Sequence, residues 1–164
     1  MEDGKNLQMS FIGNIAAAQT AKTLGKYGED VAYTEAEYIR KKAAIREKVY
    51  NQIERSRFLE QQEETYSNFF VSALRTGAEY REGTTPFFVG IKNRTNQMLD
   101  LALSDYNNKV IVNDMINQSL LIQARGAGER LKGDLTARAN YMAAAGSLLT
   151  MGYKSYDQGR LVIT

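Results

Sequence analysis

The sequence predicts an all-α protein, an elongated hairpin of two long helices that follows a short N-terminal helical segment and assembles into an oligomer. Three observations support this fold class. The 164-residue chain has one proline, Pro86, so long stretches lack the residue that most strongly breaks helices. Good helix formers, chiefly Ala, Glu, Lys, Arg and Gln, dominate the chain on both sides of that proline. Apolar side chains also recur at three- and four-residue steps, as they do on one face of a helix.

The N-terminal segment, residues 1–29, is predicted to be a small-residue-rich helix followed by a hinge. Alanines concentrate between Ile15 and Ala21, whereas Gly25 and Gly28 interrupt the good helix formers. Residues 6–21 carry no charge and contain many small side chains, which favour close helix packing.

The remaining residues, 30–164, are predicted to form the hairpin, and its first helix covers about residues 30–80. This stretch lacks proline, and its one glycine, Gly77, lies near the end. Apolar side chains follow a helical rhythm in two blocks, with a polar stretch between them. The two blocks are Ala36, Ile39, Ala43, Tyr50 and Ile53, and then Tyr66, Phe69, Phe70 and Ala73.

The turn is predicted at about residues 81–86. Gly83 is suited to a positive φ, Thr85 is a candidate helix cap, and Pro86 fits the first position of a new helix because its missing donor would be unpaired there. The second helix then covers about residues 86–156.

The second helix has an apolar stripe and six glycines. A glycine in a helix interior costs about 1 kcal/mol relative to alanine, so these glycines indicate either bends or close packing, and we favour close packing. The stripe consists of Ile91, Leu99, Ala102, Tyr106, Val110, Leu120, Ala124, Leu131 and Leu135, and the glycines are Gly90, Gly126, Gly128, Gly133, Gly146 and Gly152.

A two-helix hairpin buries one stripe of each helix, so further apolar side chains need another partner. We predict that they form a homo-oligomer interface, although the apolar spacing is too irregular for a simple two-stranded coiled coil. The predicted interface residues are Phe87, Phe88, Ile111, Val112, Leu121 and Ile122. The uncharged stretch 139–153 is assigned to helix packing or membrane contact, through Ala143, Ala144, Ala145, Gly146, Leu148 and Leu149.

Nothing in the sequence indicates an enzyme. The chain has no cysteine and no histidine, which removes thiolate nucleophiles, the usual zinc ligands and the commonest proton shuttle, so no catalytic, cofactor or metal site is assigned. A net charge of +2 does not mark a dedicated nucleic-acid binder. Non-specific DNA contact stays open through a basic patch that glutamates interrupt, consisting of Arg40, Lys41, Lys42, Arg46 and Lys48.

Several motifs follow one another along the chain. They are the stretch Asn14 to Ala21, a long charged helix, a Gly-Thr-Thr-Pro turn at Gly83 to Pro86, the tetrapeptide beginning at Gln123, and an Ala-rich Gly-Ser-Leu-Leu-Thr stretch from Ala143 to Thr150. In this order the chain resembles the small internal virion proteins, also called ejection or core proteins, of short-tailed bacteriophages (podoviruses).

The resemblance implies a location and a role. Such a protein is packaged in the virion interior near the portal and tail and is released with the genome. With larger ejection proteins it forms a DNA-translocation conduit across the host envelope, and the host outer membrane is the implied destination of the small members. The alternative hypothesis is a soluble helical adaptor or scaffold of the portal or tail that never contacts lipid.

Overall fold

A computed structural model describes residues 2–157, and helices account for nearly all of them. The elements are α1 (Glu2–Val49), a π-helical turn (Tyr50–Glu54), α2 (Arg55–Arg75) and α3 (Thr85–Asp157). No strand occurs within residues 2–157. The first three elements form one long, bent helix and α3 forms the second, which confirms the predicted all-α, hairpin-like fold.

The predicted hinge after the N-terminal segment is wrong. Helix α1 continues through both Gly25 and Gly28, so residues 2–29 form no separate helix. Gly25 is buried, and a Cβ built on it would lie 3.0 Å from the Cα of Gly133 in α3. The glycine therefore serves close helix packing and not a bend. Met1 and residues 158–164, the end of the predicted hairpin segment, lie outside the described residues.

The chain forms two compact units, each containing part of the first long helix and part of α3. Unit 1 comprises Met1–Glu37 and Ser119–Thr164, and unit 2 comprises Tyr38–Gln118. This division differs from the predicted boundary at residue 29, because helices pair across the chain instead of packing in sequence order.

Small residues form the contact between α1 and α3 in unit 1. On α1, Ala18, Gly25 and Ala32 follow one another at seven-residue steps and are all buried. A Cβ on Gly133 would lie 2.7 Å from the Ala21 carbonyl oxygen, and one on Gly126 would lie 2.5 Å from the Ala32 Cβ. The two backbones are therefore nearly in contact. We call this contact the small-residue seam; its buried α3 members are Ser119, Gly126, Gly133, Ala137 and Ala144.

The buried residues of α3 differ from the apolar stripe that was predicted for the second helix. Close packing was expected at its glycines, and Gly126 and Gly133 show it, whereas a Cβ on Gly128, Gly146 or Gly152 would meet open space. The stripe residues, however, do not line the core. All of them are exposed, with Leu99 at 63% and Leu131 at 59%. In unit 1 this is because the close backbone approach at the seam leaves room for Ala, Gly and Ser only, whereas the buried residues of unit 2 include Tyr50, Asn108 and Val112. The exposed stripe comprises Ile91, Leu99, Ala102, Tyr106, Val110, Leu120, Ala124, Leu131 and Leu135.

The first long helix ends earlier than predicted, at Arg75 instead of about residue 80. Gly77 has φ 74°, its N–H donates to the Leu74 carbonyl (3.1 Å), and the Ala78 N–H donates to the Ala73 carbonyl (3.1 Å). This pair of bonds is a Schellman C-cap, in which glycine supplies the left-handed residue. The turn therefore covers residues 76–84, and Gly83 has the positive φ expected for it, 89°.

Helix α3 begins at Thr85, one residue before the predicted start. The Phe88 N–H donates to the Thr84 carbonyl (3.2 Å), which makes Thr84 and not Thr85 the residue at the helix boundary. The Thr84 hydroxyl donates back to the Arg81 carbonyl (2.7 Å) and so stabilises the turn.

An aromatic cluster packs around this turn in unit 2. The Tyr80 ring meets Phe70 edge-on at 5.0 Å between centroids and Phe87 at 5.9 Å. Its hydroxyl lies 3.1 Å from that of Tyr66, and this hydrogen bond raises the pKa of Tyr80. A Cβ on Gly90 would collide with the Tyr80 hydroxyl, so the glycine makes room for the ring.

Candidate functional site

Large apolar side chains recur on the exposed side of α3. Leu121, Leu135, Met142, Leu149 and Tyr156 are spaced by multiples of seven residues and are between 55% and 77% exposed. The remaining position of this series is Gly128, where an added Cβ would meet open space. We call these five side chains the outer row of α3.

Helix α1 carries a similar exposed series. Leu24, Val31, Tyr38 and Ile45 are seven residues apart, and their exposed fractions range from 47% to 66%. A seven-residue apolar repeat keeps side chains on one side of a helix, where a partner helix can cover them. The apolar spacing of the chain as a whole stays irregular, but within these two series it repeats every seven residues.

The arrangement of residue sizes is unusual for a soluble globular protein. In unit 1 the buried side chains of the seam are small, while leucines, methionines and tyrosines are exposed. The outer row is therefore the candidate functional surface, and its chemistry suits apolar contact.

The predicted interface residues differ in availability. Leu121 is 70% exposed, Phe88 60% and Ile111 40%, so all three remain free for a partner. Phe87 and Ile122 are partly covered. Val112 is only 8% exposed, so assigning it to an interface between copies was wrong: unit 2 itself covers this side chain.

The C-terminal candidates also divide into two groups. Ala144 is 3% exposed and belongs to the seam. Leu148 and Leu149 are 46% and 76% exposed, and Leu149 belongs to the outer row. The other predicted residues of this stretch, Ala143, Ala145 and Gly146, are exposed.

Unit 2 contains a polar cluster that the sequence did not reveal. Tyr50 is 4% exposed, and its hydroxyl lies 2.8 Å from Asp105 Oδ1 and 2.9 Å from Ser104 Oγ. Because a phenol has one proton, Tyr50 donates to the carboxylate, and the Ser104 hydroxyl can donate to Tyr50. Arg55 Nε donates to the same Asp105 oxygen at 3.1 Å. The cluster links the first long helix to α3.

The π-helical turn positions this cluster. It accommodates one extra residue within the long helix, and the Arg55 N–H donates to the Tyr50 carbonyl, five residues earlier. Arg46 spans the turn and makes two hydrogen bonds to Glu54, at 2.7 and 3.1 Å. Ile53, predicted to continue the apolar face, is 51% exposed because it lies inside this turn.

Replacing Tyr50 by Phe tests the cluster. We expect Tyr50→Phe to lower the free energy of unfolding by about 1–3 kcal/mol near neutral pH, since a hydrogen bond to a carboxylate is lost. Burial is the largest cause that raises the pKa of Tyr50; the Ser104 hydrogen bond opposes it and Asp105 adds to it.

A raised pKa in the folded state gives this stabilisation a pH dependence. The folded protein holds the phenol proton more tightly than the unfolded chain, so the stabilisation is complete below about pH 10 and is lost at higher pH. Urea unfolding should therefore show a difference between wild type and Tyr50→Phe that is constant up to about pH 10 and shrinks above it. A difference that stays constant would contradict the assignment.

The basic patch considered for DNA contact is partly engaged within unit 2. Arg46 is paired with Glu54, and Arg40 and Lys41 also have partners. Among the acidic side chains that the structure describes, from Glu29 to Asp134, no group of three or more is placed to hold a metal ion. Across the described part of the chain, no helix contains a stretch long and apolar enough to cross a membrane.

Comparisons with protein-family models, with curated protein sequences and with solved structures gave no match to this chain. The functional argument therefore depends on the residues and geometry described above.

Proposed function

We propose that the chain is a structural subunit of a phage virion and that it resembles the ejection proteins. In this proposal the chain is released with the genome and assembles into a multi-subunit DNA-translocation conduit across the host envelope. It has no catalytic role in this proposal. Its partners are further copies of itself, other virion proteins at the portal or tail, and the host outer membrane.

One observation carries the proposal: the outer row exposes large apolar side chains while the seam buries small ones. An exposed leucine gains about 1.5–3 kcal/mol when a partner covers it, so a row of such side chains favours assembly. Seven-residue spacing suits the helix of a second copy better than a small ligand, because each side chain can insert between those of the facing helix.

The order of sequence motifs supports the phage assignment, and the helical, small-residue-rich architecture is compatible with it. The alternative, a soluble adaptor or scaffold of the portal or tail, uses the same surface against other virion proteins and has no contact with lipid. In the conduit the exposed apolar side chains contact other copies and the host outer membrane after release, whereas in the adaptor they contact only other virion proteins.

Flotation with neutral phosphatidylcholine vesicles separates the two functions. Neutral lipid is chosen so that flotation reports apolar contact and not attraction of the basic side chains. For a conduit subunit we expect the protein to float with the vesicles and to form rings or tubes in electron micrographs of the floated fraction. Assemblies that stay at the bottom of the gradient would support the adaptor, and a monomer that does not float would contradict both functions.

A further inference from the structure

A cleft of about 300 Å³ in unit 1 concentrates basic side chains between α1 and α3. Lys22 and Lys26 line it from α1, and Arg130 and Arg138 line it from α3. Asp134 is the one carboxylate in this lining. This cleft lies within one unit and is separate from the outer row.

The helix packing explains why the basic side chains converge. Lys22 and Lys26 are four residues apart and share a face of α1, with Gly25 between them, and Arg130 and Arg138 are eight residues apart on α3. Because Gly25 and Gly133 bring the two backbones nearly into contact, the long side chains of both helices reach the same space. If large residues lined the seam, α1 and α3 would be farther apart and the basic side chains of the two helices would not reach the same space.

Neighbouring carboxylates balance the charges in the cleft only in part. Arg130 donates to Glu29 Oε2 at 2.9 Å, and this partner raises the pKa of the guanidinium. Among the residues that the structure describes, no carboxylate lies within ion-pair distance of Lys22, Lys26 or Arg138. Asp134 and Asp30 also act on Arg130, so three carboxylates offset four cationic side chains and about one positive charge remains unbalanced in the cleft.

We propose that this cleft binds a phosphate group. Lys22, Lys26 and Arg138 have donors available for the oxygens of a phosphate group. The planar fork of Arg138 can donate two hydrogen bonds while the lysines act as point charges. Tyr141 also lines the cleft and has a hydroxyl that can donate to a phosphate oxygen. The phosphate can be free in solution or belong to the headgroup of a lipid.

The charge distribution of unit 1 opposes a longer polyanion. Among its described side chains the unit has six basic and six acidic ones, so the basic side chains in the cleft form a local excess and not a track. A nucleic-acid backbone needs a series of cationic contacts along its length. A single phosphate group requires only the cationic side chains of the cleft.

The test uses the full chain and three probes: pyrophosphate, vesicles of phosphatidylcholine with phosphatidic acid, and a single-stranded oligodeoxynucleotide. Lys22→Gln with Lys26→Gln removes two charges from the cleft. Lys92→Gln with Lys132→Gln removes two charges from exposed positions outside it and is the matched control. We expect the cleft variant to bind pyrophosphate or the anionic vesicles about tenfold or more weakly, and the control to bind like wild type.

The two phosphate probes distinguish the source of the phosphate. Saturable pyrophosphate binding indicates a free phosphate, whereas binding only to the vesicles indicates a lipid headgroup. Equal weakening in both variants, or no saturable binding of either probe, would overturn the proposal. So would oligonucleotide binding that depends on Lys22 and Lys26 when neither phosphate probe binds.

A measurement on the wild-type chain removes any dependence on how the variants fold. Acetylation of lysines, read by mass spectrometry, should slow at Lys22 and Lys26 when the bound probe is present and stay unchanged at Lys132. Unprotected cleft lysines under saturating probe would exclude this site.

Discussion

Gly133→Ala is expected to destabilise the protein by about 1–3 kcal/mol, even though alanine is the better helix former. An added methyl group would lie 2.7 Å from the Ala21 carbonyl oxygen and 2.9 Å from the Gly25 Cα. Both atoms belong to the backbone, so no side chain can rotate away. The substitution must push α1 and α3 apart along the small-residue seam.

Gly128→Ala is the matched control, because it makes the same change on the same helix. No atom lies within 4 Å of a Cβ built there, so the higher helix propensity of alanine should stabilise the protein by up to about 1 kcal/mol. Urea unfolding followed by circular dichroism measures both variants. Opposite signs are expected, and stabilisation by both substitutions would show that α1 and α3 do not pack at Gly133.

The helical content of the chain was predictable from sequence because it depends on local properties. A single proline, abundant helix formers and the Gly83 turn were sufficient to predict two long helices and their reversal. The first long helix ends about five residues before the predicted position. The sequence alone does not distinguish Gly77 from the glycines that lie inside helices. Only its hydrogen bonds in the folded chain identify it as a C-cap.

The buried surface of α3 was not predictable by apolar periodicity. That method assigns large apolar residues such as Leu131 to the core, whereas this protein places Gly126, Gly133 and Ala137 there. A useful signal was nevertheless present, because small residues on α1 and large ones on α3 each recur every seven residues. Separating residues by size as well as polarity would have indicated an inner seam and an outer row.

The polar cluster shows a different limit of sequence analysis. Tyr50 and Asp105 are 55 residues apart, and a one-residue change in helix register would separate their side chains. The π-helical turn sets that register, and no residue type in Tyr50–Glu54 is specific for such a turn. The cluster therefore depends on tertiary packing and not on a local pattern.

Aspartate in place of Leu121 and Leu149 should abolish self-association while leaving the chain folded. Both leucines belong to the outer row and are 70% and 76% exposed, so substitution should change the folding free energy by no more than about 0.5 kcal/mol each. In an assembly, each loss removes about 1.5–3 kcal/mol of burial and leaves a carboxylate without a partner. The association constant should fall by about two orders of magnitude or more.

Thr136→Asp with Thr150→Asp is the control, since it adds the same charge at exposed positions one residue after Leu135 and Leu149. Sedimentation velocity over a range of concentrations should show oligomers for wild type and the control, and monomers for the outer-row variant. Circular dichroism should show the same helix content for all three. The two variants carry the same added charge and differ in whether the substituted residues belong to the outer row. If the control dissociates to the same extent, the added charge and not the loss of outer-row side chains causes the dissociation. A wild-type chain that stays monomeric at high concentration, in buffer and with detergent, would remove the physical basis for assembly through this surface.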